Sequence, residues 1–433
     1  MLTTTLLLLG VVLLAMCLLE LHVTRLPLSP ATVYLAVGWI AGALVQDQVK
    51  LPPTAPQRAD MLVVITETAV LISLFAVGLR LRTALTRTGW RVAVLLASNS
   101  MLALIVLATL VGVWLLPALG WAGALLLAAI LAPTDPVLAS EVRIQAGDDR
   151  DAVRVSLTAE GGLNDATALP VVLLALGLLG IGELGTWGER WAWHDLAWPI
   201  AGGALFGWAF GRILSRVVHA LLERGHELKW DELLYLGIIT TAYGLSRLTD
   251  TSSFLFVFAV ALGLFKLSPT TSDGLARAGV RPDELSERLL AFGHRCERLV
   301  EVAMVLMLGF AMPWVSWRWE LVAYAVALLV VIRPLSVYLT VPRSELPSAQ
   351  RRIVAWFGIR GVGSLFYLAL VIDSGIAPAL SAQLVDAVLP AIALSVLVHG
   401  VSATPLMALY RRRRVLQKRE RRRLARRAAA DAS

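Results

Sequence analysis

Runs of about 18–22 apolar residues alternate with short charged segments along the whole chain. An α-helix needs about 20 such residues to cross the hydrocarbon core of a bilayer. The pattern predicts about thirteen membrane-spanning helices, over 2–19, 29–46, 61–79, 92–116, 120–141, 156–181, 196–217, 231–247, 252–268, 299–317, 320–340, 351–372 and 384–409. A membrane β-barrel would show ten-residue segments of alternating polarity instead. The expected fold class is an all-α membrane protein. Span 1 lacks both a positive leading segment and a small-residue cleavage site, and it reads as a retained helix rather than a signal peptide.

The polar residues that interrupt these runs carry the chemistry. Asp135 lies in AGALLLAAILAPTDPVLAS, and Asp165 lies in GGLNDATALPVVLLALGLLG. An ionised carboxylate at mid-membrane costs about 2.5–3.5 kcal/mol on insertion scales, and such groups mark ion or proton pathways. Pro133 and Pro136 bracket Thr134 and Asp135. Pro136 cannot donate a backbone hydrogen bond, so span 5 must open there. Open backbone at this depth lines a cavity or is buried in protein. The freed carbonyls, the Thr134 hydroxyl and the Asp135 carboxylate are hard oxygen donors suited to a cation. Asp135 could equally cap a half-helix.

On span 6, Glu160 and Asn164 share a face, and Asp165 is rotated about 100° from Asn164. Gly161 and Gly162 allow close approach of another backbone. Glu160 could also be solvated at the cytoplasmic mouth. Span 12 is interrupted by Gly358, Gly361 and Gly363 around Arg360, and Arg333 lies within span 11. The set of ionisable groups at bilayer depth is thus Asp135, Glu160, Asp165, Arg333 and Arg360. Spans 5 and 12 are seven apart, as are 4 and 11, and 6 and 13. One Pro-interrupted and one Gly-interrupted helix in corresponding positions predict inverted repeats, with two broken helices crossing near mid-membrane.

Composition agrees. Of 433 residues, 58% are hydrophobic and 16% charged, with mean hydropathy +0.73. A soluble domain carries roughly 25% charge. The net charge of +8 is local, because residues 411–433 hold 11 Lys and Arg. A juxtamembrane cluster of this kind anchors a cytoplasmic end to anionic lipid, and nucleic acid is not the expected partner. The expected division is a transmembrane domain over 1–410 and a basic cytoplasmic tail over 411–433. With the tail inside and an odd number of spans, the N-terminus is outside. The inside segments, including Arg80 and the loop 269–298, then hold 21 Lys and Arg, against five outside. This is the positive-inside bias, and it points to the plasma membrane. Trp187, Trp191, Trp193 and Trp198, and Trp314, Trp317 and Trp319, read as interfacial anchors. Gly203, Gly207 and Gly211 suit close packing of span 7. Cys17 in span 1 and Cys296 in a charged loop imply no disulfide.

APTDPV, EGGLNDA, the RP and GIRG elements, SSFLFVFAVALGL over 252–264 and LFAVGLRLR over 74–82 resemble sodium/proton exchangers of the cation:proton antiporter-1 family. The resemblance spans about nine-tenths of the chain. It implies a secondary antiporter, not an enzyme, that exchanges a monovalent cation for a proton without a cofactor. Sodium is the first choice, with lithium and potassium as alternatives. It implies that Asp165 binds ion or proton in turn, that Asp135 and Thr134 add oxygens to the sodium site, and that Asn164 braces it. Glu160 would pair with Arg333, and Arg360 would have a structural or pH-related role. The Asn164-Asp165 pair implies electroneutral exchange. The family further implies a homodimer with a mobile core of spans 4–6 and 11–13. Two positions depart from its pattern. Gly161 stands where a serine is usual, and Ala76-Val77 stand where many relatives carry an acid. Readings from other classes are an intramembrane aspartyl enzyme using Asp135 and Asp165, and a cation channel.

Overall fold

A computed structural model describes residues 29–47, 56–84, 87–135, 144, 151–224, 230–264 and 282–431, with four positions of span 1. The described residues form helices and no strand. Spans 2 to 11 correspond to α1 (Pro30–Val45), α2 (Ala59–Ala84), α3 (Arg87–Leu115), α4 (Gly120–Leu131), α5 (Ala152–Leu178), α6 (Trp198–Glu223), α7 (Asp231–Leu248), α8 (Ser253–Gly263), α9 (Pro282–Ala311) and α10 (Trp319–Thr340). Span 12 is two helices, α11 (Ser348–Trp356) and α12 (Val362–Asp373), and span 13 is α13 (Pro378–Asp431).

Local chemistry sets the starts. Asp151 accepts hydrogen bonds from the Val153 and Arg154 amides and caps α5, and Ser252 caps α8 through the Leu255 amide. Among the described residues, six helices are long and apolar enough to cross a membrane. α5 is the central one. It packs against α2, α3, α4, α8, α11 and α12, and buried residues occupy every side of it. A helix with protein on all sides can carry polar groups that lipid would reject.

Glycines let the surrounding helices close up. At Gly207 and Gly211 an added Cβ would collide with the Phe256 and Val260 carbonyls of α8. Gly162 differs from the expectation of backbone contact, since the Phe258 ring of α8 lies against it.

The structure adds to three expectations about organisation. Helix α9 begins at Pro282, so the second part of the expected 269–298 loop is helical and Cys296 lies on a helix. Leu285 and Leu289 are buried one turn apart, an amphipathic stripe too charged to register as an apolar run. Helix α13 continues past span 13 to Asp431, so the basic tail extends a membrane helix. Arg80 is no loop residue. It is 2% exposed and forms a two-pronged ion pair with Glu297 of α9, which is 0% exposed. This pair enlarges the buried ionisable set.

Candidate functional site

Within spans 5 and 12 the described residues leave helical geometry at 132–135 after α4 and at 357–361 between α11 and α12. The two extended segments meet. The Asp135 amide donates to the Ile359 carbonyl at 2.7 Å, so backbone lost to helix is satisfied across the crossing. Pro136 lies outside the described residues; the helix is already open before it.

Each break exposes helix ends, and a side chain from the opposite break meets them. The last carbonyls of α4 form a partly negative end. Arg360 Nη1 donates to the Ala132 carbonyl at 2.5 Å and the Pro133 carbonyl at 3.1 Å. The first amides of α12 form a partly positive end. Asp135 Oδ2 accepts from the Val362 amide at 2.6 Å. Asp135 is therefore a cap, but for the other broken helix rather than its own chain segment. The Arg360 amide in turn donates to Ser395 Oγ of α13 at 2.9 Å.

A second arginine serves the other end of the break. Arg333 of α10 forms two hydrogen bonds to Glu160 of α5, at 2.6 and 2.8 Å, with both residues 2% exposed. Its Nη2 also reaches the Phe357 carbonyl at the end of α11, at 3.2 Å. Gly358 makes room for it, because a Cβ there would stand 2.8 Å from Arg333 Nε. Glu160 is thus a buried partner, not a solvated mouth residue.

The structure brings Asn164 and Thr134 together, with Asn164 Nδ2 donating to Thr134 Oγ1 at 2.7 Å. This joins α5 to the open segment. One residue on, Asp165 is 5% exposed and faces the first turn of α12. A Cβ on Gly363 would lie 2.5 Å from Asp165 Oδ1, so the bare backbone passes against the carboxylate. Tyr367 donates its hydroxyl to the Asp165 main-chain carbonyl. Asp165 Oδ1 has no hydrogen-bond partner among the described residues. All the candidate residues named from sequence converge on this one crossing.

The sequence does not reveal Tyr367, Ser395, the Arg80–Glu297 pair or the contact of Gly363 with Asp165. From sequence Gly363 reads only as a helix interruption. Tyr367 and Ser395 sit in apolar runs where one hydroxyl is unremarked. Arg80 lies within one turn of a span end, where a basic residue ordinarily counts as loop charge.

Comparison with known proteins gives the same answer along the chain. The family model described as "Sodium/hydrogen exchanger, transmembrane" matches residues 11–409. The K(+)/H(+) antiporter NhaP of Alkalimonas amylolytica is 27% identical over 361 residues, covering 82% of this chain and 58% of that protein. The Na(+)/H(+) antiporter NhaP of Pseudomonas aeruginosa is 23% identical over 333 residues, covering 73% of this chain and 74% of that one. This chain thus spans a little over half the length of the first relative. The sodium proton antiporter MjNhaP1 of Methanocaldococcus jannaschii has the same fold, with a TM-score of 0.71, 19% identity and coverage of 95% and 98% of the two chains. The match over nearly the whole length, together with the crossed broken helices, makes this chain a multi-pass membrane protein that belongs to the transmembrane sodium/hydrogen exchanger family.

Proposed function

We propose that the chain exchanges a monovalent cation for a proton, with the two competing for the Asp165 carboxylate. One observation carries this reading: Asp165 is buried against α12, and its Oδ1 has no hydrogen-bond partner among the described residues. The charges around it are matched. Asp135 caps α12, Arg360 caps α4 and Glu160 holds Arg333. Two arginines against three carboxylates leave one negative charge at the crossing. A single proton or a single monovalent cation neutralises it. A divalent ion is ordinarily held by several carboxylates, and among the described residues no group of three or more His, Cys, Asp or Glu is placed to hold a metal ion.

Sodium is the first-choice cation, with lithium and potassium as alternatives. Each loaded form of the site carries the same charge, so one cation moves per proton and no net current flows. The empty, ionised form is the costly one to carry across an apolar barrier, and that cost couples the two fluxes. Thr134 and Asp135 shape the open segment beside the ion, Asn164 braces it, and Arg360 holds the α4 end in place. The engagement of Asp135 as a cap also speaks against an aspartyl enzyme, which needs two carboxylates free to act on water.

A cavity of about 360 Å³ approaches the site from one side. Its walls include Glu67 of α2, Ala166 and Leu169 of α5, Ser253 of α8, and Phe366 and Leu370 of α12. Phe254 of α8 and Phe366 meet edge to face with ring centroids 5.0 Å apart. In the expected orientation this cavity faces the outside of the plasma membrane. Movement of spans 4–6 and 11–13 against the rest, within a homodimer, would open Asp165 to each side in turn.

The test is cation-driven proton release from everted vesicles. Asp165→Asn should abolish it, and full activity in that variant removes Asp165 from the mechanism. Current recording on solid-supported membranes tests stoichiometry separately. A sustained sodium-driven current at equal pH on both sides would overturn electroneutral exchange.

A further inference from the structure

The first turn of α12 carries a second buried oxygen without a partner. Ser364 is 1% exposed, and its hydroxyl has no hydrogen-bond partner among the described residues. Serines inside helices ordinarily donate to the carbonyl four residues back, as Ser98 does to Val94 and Ser156 to Ala152. For Ser364 that residue is Arg360, which lies in the extended segment before α12 begins. The break therefore removes the acceptor that would have engaged this hydroxyl. Leaving a buried hydroxyl unpaired costs about 1–3 kcal/mol, and native proteins keep few such groups without a reason.

Its neighbours supply a reason. Gly363, the preceding residue, runs against Asp165 Oδ1. Tyr367, three residues on and on the same flank of the helix, donates to the Asp165 carbonyl. On α5, Asn164 has its amide nitrogen fixed on Thr134, which leaves Asn164 Oδ1 as a further buried atom without a partner among the described residues. Asp165 Oδ1, Asn164 Oδ1 and Ser364 Oγ are thus three buried oxygens without a partner among the described residues, two on adjacent residues of α5 and one on the residue after the Gly363 contact. One is charged and two are neutral, and all three are hard oxygens. That donor set suits an alkali cation better than a proton, which needs only one oxygen.

We propose that Ser364 is a cation ligand supplied by the second broken helix, and that it sets the affinity and selectivity of the site for alkali cations. The proposal rests on the reading of Asp165 as the exchanged carboxylate. The hydroxyl reaches the cation but not the proton, so its loss should weaken cation loading and leave proton loading unchanged.

The experiment measures proton release from proteoliposomes against increasing sodium, lithium and potassium. Ser364→Ala should raise the half-saturating cation concentration by about tenfold, the equivalent of about 1.4 kcal/mol. The maximal rate should hold, and the order of preference among the three ions should change. Ser364→Thr retains the oxygen and should restore half-saturation to near the parent value. Should the alanine variant not survive purification, Ser364→Cys is the near-isosteric comparison. Its sulfur is a poor alkali-ion ligand, so the same shift is expected. Unchanged half-saturation for all three ions in either variant overturns the proposal. So does a fall in maximal rate alone, which would mark a packing role. Asp165→Asn run alongside separates the two readings. If it is inactive while Ser364→Ala behaves as the parent, only the serine ligand falls. If Asp165→Asn stays active, the site itself is misplaced.

Discussion

At Gly363 the backbone of α12 lies against a carboxylate with no room for a methyl group. The neighbour that must yield is Asp165, held by its own helix and by Tyr367 on its carbonyl. Forcing an extra methyl into a packed site costs about 1–3 kcal/mol. Gly363→Ala should therefore leave a folded protein whose cation affinity falls, read as a rise in half-saturating concentration of about tenfold. Parent-like half-saturation would show that Asp165 can turn aside freely. The Glu160–Arg333 pair calls for a different measurement. Removing one member of a buried pair strands the other charge and costs about 3–5 kcal/mol. Glu160→Gln should lower the thermal stability of the detergent-solubilised protein more than the double change Glu160→Gln with Arg333→Gln. If the double variant is the less stable, the pair is not what holds α5 to α10. Part of this was legible in the chain. An acid or arginine within an apolar run is conspicuous, which is why Asp135, Glu160, Asp165, Arg333 and Arg360 stand out from sequence. The contact of Gly363 with Asp165 is not legible in this way, because it depends on a helix some 200 residues away in the chain, and Ser364 does not stand out at all.

The two breaks work as one element. Each contributes a charged side chain to the helix end opened by the other, so the two ends are joined by reciprocal caps. A favourable charge at a helix end contributes up to about 2 kcal/mol when partly buried, and its hydrogen bonds about 1.5–3 kcal/mol each. Arg360→Met would leave the Ala132 and Pro133 carbonyls without their donor. Its thermal unfolding in detergent should fall by several degrees, and an unchanged midpoint would mean that the α4 end is stabilised by other groups. Asp135→Asn keeps an oxygen for the Val362 amide and deletes only the charge. It should unfold near the parent temperature but bind cations more weakly, since the crossing then has no excess negative charge. Breaks were readable where proline and glycine cluster, and the pairing of spans 5 and 12 followed from their seven-span offset. What the periodicity could not give was the exchange of caps. Hydropathy also hid the start of α9, whose buried Leu285 and Leu289 are diluted by charge.

For the whole molecule, the proposed exchange requires a path that reaches the crossing from one side at a time. The cavity beside α5 and α12 provides one approach, with Leu370 on its wall and the Phe254–Phe366 contact near its inner part. We assign its side of the membrane from the distribution of charge. With Arg80 set aside as buried, the proposed inside segments and the tail hold 31 Lys and Arg against five outside, the kind of imbalance that sets orientation during insertion. On that orientation Leu370 faces the outer space, while the α13 extension from Arg411 lies in the cytoplasm. The check is cysteine labelling in a chain with Cys17 and Cys296 replaced by serine. Leu370→Cys should react with a membrane-impermeant maleimide in intact cells, and more slowly in everted vesicles. Reaction only in everted vesicles would invert the orientation. Equal reaction from both faces would mean a continuous water path past the aromatic contact. A continuous path conducts without exchanging, so that outcome would favour the channel reading over alternating access at Asp165.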